Sequence, residues 1–380
     1  MINSLKPTIT RNIKNIAGWR TDRKIIVIES DDWGSIRMPN KDVYNKLLKK
    51  DIRVDLCPYN KYDTLANTED FEALFDTLRQ HTDFKNNSPI ITINTNVANP
   101  DFEAIQNGNF EKYIFEYFTK TLLSYYPNED VISMWHQGIK EKYIYPQLHG
   151  REHLNPEIWL ELIKKGNSPL MEAFKLKLYG LSFITSKDIK IPFLAALIYN
   201  TKEGKQSVEN SLIEGSQLFQ QIFGFTSKSF IAPLYTWSLE LESTFSKIGV
   251  KYIQGSDRNI EYDFNLNSFK RSRHIMGSSN KYSQTYLHRN CTFEPTVLSK
   301  IDNIDECLNQ IKTAFFWKKP AVISMHRLNI IGVLDEKNRT QNLKSLDILL
   351  TKIKQRWGDV EFMHSSDLGE LIQKSKHHVL

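Results

Sequence analysis

Five polar residues at three distant places in this 380-residue chain have the types and spacing that metal-assisted hydrolysis needs. Asp31 and Asp32 stand side by side, His149 and His153 lie four apart, and His326 stands alone. Two imidazoles at that spacing can reach one ion from one side of a turn or helix, and a carboxylate from elsewhere completes three ligands. Three protein ligands leave positions open for water and substrate, the mark of a catalytic rather than a structural ion. The run His149-Gly150-Arg151-Glu152-His153 is not the metalloprotease HExxH, because Glu152 directly precedes the second histidine. Each feature alone has a plainer reading: a turn or helix cap, a coincidence of spacing, a histidine at a strand end that simply packs. Their conjunction, each at the end of its own expected strand, favours the site.

The elements that must bring them together show in the apolar pattern. Short runs rich in β-branched or aromatic residues fall at 24–30, 90–95, 145–148, 229–232, 250–253, 321–325 and 360–363. The first ends in Asp31-Asp32, the third in His149 and the sixth in His326. Helical patterns lie between them. Asn155 with Pro156 reads as a helix start and Gly166 as its end; Leu212, Phe219, Ile222 and Phe223 form a stripe closed by Gly224; Leu343, Leu346, Leu350, Ile353 and Trp357 repeat at helical spacing up to Gly358. Strand-then-helix alternation implies parallel βα units, and seven of them suggest a barrel, in which functional residues sit at the C-terminal ends of the strands. The stretch 167–206 breaks the rhythm and reads as an inserted helical segment packed on the barrel. The expected organisation is an N-terminal extension over 1–20, one domain over 21–372 and a tail over 373–380.

With these motifs in this order, the chain resembles the NodB-type polysaccharide deacetylases. Ser30-Asp31-Asp32-Trp33-Gly34 looks like that family's paired-aspartate motif, His149 to His153 like its histidine pair, and Ile323-Ser324-Met325-His326 like its late strand with a catalytic histidine. The resemblance covers roughly residues 24 to 367. It implies a distorted (β/α)7 barrel with Asp32, His149 and His153 as ligands of one divalent metal, Zn²⁺ foremost. It further implies Asp31 as general base, His326 as general acid, and removal of acetyl groups from a polysaccharide or glycan precursor. An amide is the expected bond ahead of an ester.

One part of the family pattern is missing. Its third motif carries an arginine, shortly before a proline and an aromatic residue, that orients the base. The matching stretch here runs Phe230-Ile231-Ala232-Pro233-Leu234-Tyr235-Thr236-Trp237 and has no arginine. Arg151, Arg289 and Arg327 are candidates to replace it from other loops. Asp257 is either the aspartate that tunes the catalytic histidine or a solvated loop residue. Asn94 and Asn96 are candidates to hydrogen-bond sugar hydroxyls. Trp33, Tyr235 and Trp237 are candidates to stack on a sugar face, with Pro233 beside them, although burial is the commoner fate of tryptophan. Arg289, Asn290 and Glu294 are placed as candidates to face the cleft.

Composition narrows the class. Hydrophobic residues make up 40% and charged residues 25% of the chain, ordinary for a globular protein. The 12% of aromatics suits ring stacking on sugars and equally a ring-rich core. A net charge of +6, dispersed along the chain, argues against nucleic acid as partner. The three cysteines show no paired spacing, which points to a reducing compartment. The first residues hold no continuous apolar stretch of a secretory signal, so a cytoplasmic location is expected, and no run approaches the roughly 18 apolar residues of a membrane span. Two other readings compete: a non-catalytic glycan-binding protein on the same scaffold, which the missing arginine feeds, and a glycosidase with two facing carboxylates and no metal.

Overall fold

The computed structural model describes residues 2–377. Its centre is a parallel sheet built on β1 (Lys24–Trp33), a strand buried along nearly all its length. Strands covered on both sides read as continuous Val/Ile runs, which accounts for Ile25 to Ile28. Next to it in the sheet come β2 (Ile91–Thr95), β3 (Ile144–Leu148), β4 (Ser229–Ile231), β5 (Tyr252–Gly255) and β6 (Thr285–His288). On its other side come β8 (Ala321–His326) and, beyond it, β7 (Cys291–Thr292). Every pairing in this order is parallel.

The two edges of that order belong to one stretch of chain. The Arg289 N–H donates to the Gly255 carbonyl on β5, at 2.8 Å, and the next N–H, of Asn290, to the Val322 carbonyl on β8, at 3.2 Å. Residues 285–292 thus pair with β5 by their first half and with β8 by their second. The sheet closes on itself as a distorted barrel with seven strand positions, and the handover falls on Arg289 and Asn290.

This differs from the sequence expectation in one strand. The run at 360–363 does form β9 (Val360–Phe362), but it pairs with the start of β1 outside the ring. The seventh position belongs to β6 and β7. That stretch reads Thr-Tyr-Leu-His-Arg-Asn-Cys-Thr, with polar residues where a strand signal needs β-branched ones.

Helices surround the sheet. Asn155 caps Pro156–Lys164 through the Ile158 N–H, and Gly224, in the left-handed region, ends the 22-residue helix Lys202–Phe223. Of the expected inserted segment, 167–206, the last residues open that long helix, and before it only Ser168–Lys175 is helical. From there to residue 201 the chain is irregular, anchored by buried Leu178, Tyr179, Leu181 and Phe193. After β5 an antiparallel hairpin, Arg258–Asp263 with Ser268–Arg273, rises beside the sheet.

The described part of the first twenty residues, 2–20, is tied to the domain. Helix α1 (Ile2–Ile16) packs near Asn303–Phe316; Trp317 donates to Asn12 at 2.8 Å, and Asn290 to Asn15 at 2.8 Å. At the other end the helix Ser365–His377 runs through most of the expected tail, whose remaining residues 378–380 lie outside the described part.

Candidate metal centre

A parallel barrel delivers the ends of its strands to one mouth, and here that mouth holds all five polar residues. A cavity of about 350 Å³ is lined by Asp31, Asp32, His149, His153 and His326, together with Arg37, Tyr59 and Tyr235. Asp31 and His326 are direct register partners on β1 and β8. Consecutive strand residues normally point to opposite faces. Asp31 and Asp32 face the same cavity because the pairing of β1 with β2 shifts register between Ser30 and Trp33, and Asp32 takes φ +72°. A left-handed aspartate costs backbone energy, which the surrounding contacts sustain.

The second carboxylate meets the histidine pair. Asp32 Oδ1 lies 3.2 Å from His153 Nε2 and 3.5 Å from His149 Nε2. The three ligand atoms fall within 4.8 Å of one another. Arg37 donates to Asp32 Oδ2 at 2.7 Å, so the outer oxygen is satisfied and the inner one faces the imidazoles. His149 donates Nδ1–H to the Ile231 carbonyl at 2.9 Å, which leaves Nε2 with its lone pair. Gly150, at φ +103°, turns the chain between the two histidines. Asn96 holds the turn from behind by donating to the His149 carbonyl at 2.9 Å.

Electrostatics suit this donor set. Burial opposes ionisation of Asp32, but Arg37, His153 and His149 together hold its carboxyl well below the usual range. Burial pushes His153 down to about 4 despite Asp32 beside it, so the ring is neutral at ordinary pH and able to act as a ligand. Its Nδ1 is buried with no hydrogen-bond partner. One carboxylate oxygen and two imidazole nitrogens, buried and convergent, fit a three-ligand ion site.

The first carboxylate is gripped on the opposite side. Arg289 donates to Asp31 Oδ2 at 2.6 Å and Oδ1 at 2.7 Å, and its Nε to Glu29 at 2.5 Å. Asn94 adds a hydrogen bond to Asp31 Oδ1 at 2.8 Å. Burial raises the Asp31 carboxyl, and Arg289, then His149 and His326, pull it below the usual carboxylate range. Asp31 is therefore an ionised, oriented acceptor. Of the three arginines considered as replacements for the absent third-motif arginine, Arg289 is the one bonded to Asp31. Arg151 instead pairs with Glu152 and Glu214, and Arg327 with Asp63.

His326 is held by Glu294, whose Oε1 lies 2.5 Å from Nδ1, while Asn329 donates to the other oxygen at 2.7 Å. Nε2 points toward Asp31 Oδ2 at 3.8 Å, and the Tyr59 ring packs edge-on against the imidazole. Burial pushes His326 down, but Glu294, then Asp31 and Asp32, outweigh it and raise the imidazole to about 9. It is a charged donor at neutral pH.

Several candidates land elsewhere. Trp33 is buried in the core against Phe71 and Trp135 and cannot stack on a ligand. Trp237 is likewise buried, near His274. Asn94 and Asn96 are fully buried and support Asp31 and His149 rather than sugar hydroxyls. Arg151 stacks on Phe115 away from the cavity. Pro233 is buried beneath the turn that presents Tyr235, whose hydroxyl accepts from Arg289 at 2.9 Å. Asp257 has no contact with His326; its carbonyl binds the His274 N–H and its carboxylate lies 3.9 Å from Arg258. The carboxylate on His326 is that of Glu294, and Asp257 lies where the chain leaves β5 for the hairpin, in keeping with its alternative reading as a loop residue. Sequence reasoning missed Arg37 and Glu29. A charged residue inside the run Lys24 to Ser30 was the available signal for Glu29, since buried carboxylates need partners.

No protein-family model matches the chain, and neither does any curated protein. Solved structures do match. A 4-alpha-glucanotransferase from Thermococcus litoralis aligns at TM-score 0.44 and 8% identity, over 91% of this chain and 40% of that one. A protein of Mycobacterium smegmatis described as a polysaccharide deacetylase aligns at TM-score 0.43 and 8% identity, over 95% and 94% of the two chains. The peptidoglycan deacetylase PdaC from Bacillus subtilis aligns at TM-score 0.38 and 10% identity, over 93% and 94%. These are likenesses of fold; the chemistry rests on the residues above.

Proposed function

We propose that this protein is a metal-dependent hydrolase that removes acetyl groups from a glycan or glycan precursor, an amide being the favoured bond. The reading is carried by one observation: a three-ligand donor set, an oriented carboxylate and a charged histidine line a single cavity. Asp32, His149 and His153 are the assigned ligands, and two nitrogens with one oxygen suit Zn²⁺ among other divalent ions. Such an ion, when bound, supplies a Lewis acid that activates water and polarises an acyl carbonyl.

The remaining work belongs to the chain. Asp31, fixed by Arg289 and Asn94, accepts the proton that attacking water gives up. His326, kept protonated by Glu294, hands its Nε2 proton to the leaving nitrogen, which cannot depart as an anion. Tyr59 and Tyr235 flank the reacting groups and limit access of bulk water.

Acetate release from N-acetylated and O-acetylated oligosaccharides, with the protein supplied with Zn²⁺, tests the proposal. Release that disappears in Asp31→Asn supports it. Glycan binding with no release from any acetylated substrate would favour a non-catalytic binder.

A further inference from the structure

A second cavity, of about 240 Å³, lies beside the first, and Ser182, Phe183, Leu194 and Leu234 wall both. Its far side is the hairpin after β5, through Tyr262 and Phe269. The chemistry changes across the shared wall. The carboxylates and histidines all lie on the first side, and Lys190 is the one charged residue lining the second.

The backbone maintains this wall at a cost. Leu234 and Tyr235 both sit at φ +55°, two successive non-glycine residues in the left-handed region. That turn aims the Tyr235 hydroxyl at Arg289 and leaves Leu234 49% exposed between the cavities. Phe183 is 70% exposed and Phe269 46%. Large apolar side chains gathered in the open beside a reaction centre mark a surface that something apolar covers. The two cavities share four lining residues, so a substrate seated in the first is the ligand within reach of the second. Apart from Ser182, Lys190, Tyr262 and Asn267 its lining is apolar, so a bare sugar ring would leave most of its hydroxyls there unpaired, which is unfavourable.

We propose that the substrate is an amphiphile whose linear alkyl chain lies in the trough from Leu194 and Leu234 to Phe269. Its acylated head group then meets the five polar residues; the choice of substrate as occupant rests on the hydrolase reading, whereas binding of an alkyl chain by the trough is measured apart from it.

Calorimetry on the full chain, stripped of metal with a chelator, tests this with three ligands below micelle-forming concentration. They are the methyl and octyl glycosides of N-acetylglucosamine, and N-octanoylglucosamine. Each methylene taken out of water is worth about fourfold in affinity. An octyl-bearing ligand is therefore expected to bind at least roughly tenfold tighter than the methyl glycoside, even if only part of the tail is covered. Phe269→Asp should lose that gain and Phe269→Leu should keep it, with thermal unfolding of both unchanged. A gain with the octyl glycoside places the chain on the aglycone, and a gain with N-octanoylglucosamine places it on the departing acyl group. Equal affinity for methyl and octyl ligands overturns the proposal, as does a gain that survives Phe269→Asp. Because no turnover is needed, a lasting alkyl gain without acetate release sinks the hydrolase reading alone, and acetate release without the gain sinks the trough alone.

Discussion

Arg289 holds both carboxylate oxygens of Asp31, at 2.6 and 2.7 Å, from 258 positions further along the chain. Its Nε serves Glu29 on the same strand, so one guanidinium hydrogen-bonds two buried carboxyl groups. Its five donors in a planar fork suit this, and a lysine could not reproduce it.

Replacing Arg289 should therefore damage both stability and chemistry. Removing one partner of a buried ion pair costs about 3–5 kcal/mol, because the other charge stays buried. Arg289→Met is expected to lower the thermal midpoint clearly and to cut acetate release by roughly 100-fold or more. Arg289→Lys should recover part of the stability and little of the rate. Unchanged kcat in Arg289→Met, measured on folded protein, would remove Asp31 from the base position.

Metal content should separate the two aspartates. Purified protein is expected to carry about one divalent ion per chain. Asp32→Ala and His149→Ala should lose it, while Asp31→Asn keeps it and loses turnover. Elemental analysis after dialysis reads this directly. An ion retained by both ligand variants would place the metal elsewhere.

Glu294 should set the alkaline limit. A general acid works only while protonated, and His326 is raised to about 9 with Glu294 as its strongest supporter. Activity is expected to fall as pH rises through that region. Glu294→Gln removes the counter-charge, lowers the imidazole pKa and moves the alkaline limb of the kcat profile to lower pH. A limb that stays in place would detach Glu294 from the acid.

The acid limit of stability should involve His288. Its two ring nitrogens are buried without partners, and burial lowers its pKa from the ordinary 6.5 to about 4. The unfolded chain takes up this proton first as pH falls. The contribution is complete above about 6.5, shrinks between 6.5 and 4, and changes no further below, a loss of about 3 kcal/mol. Urea titrations across that range should show a flatter pH dependence for His288→Leu. Parallel curves for the two proteins would rule out this origin.

The ring's composition explains what was legible in the sequence. Asp31, Asp32 and His326 follow Ile/Val-rich runs and were placed at strand ends by pattern alone. Arg289 appeared only among several candidates, because the strand that carries it is polar and gives no period. Only Asp257 was considered as a partner for His326, and Glu294 merely as a cleft residue, since their positions depend on how the chain returns from the hairpin to β8. Trp33 looked like a ligand contact because residue type does not reveal which side of a strand faces the barrel interior, and Asn94 because it does not reveal which inward polar groups are already paired.

The handover of residues 285–292 from β5 to β8 makes Arg289 a keystone as well as an anchor. The closing segment beyond it is short, with Cys291 and Thr292 against Ile323 and Ser324. Fraying of that two-residue seam would loosen Arg289 and leave Asp31 without its counter-ion while the helices outside still hold. On gentle heating, turnover should fade before circular dichroism reports any melting.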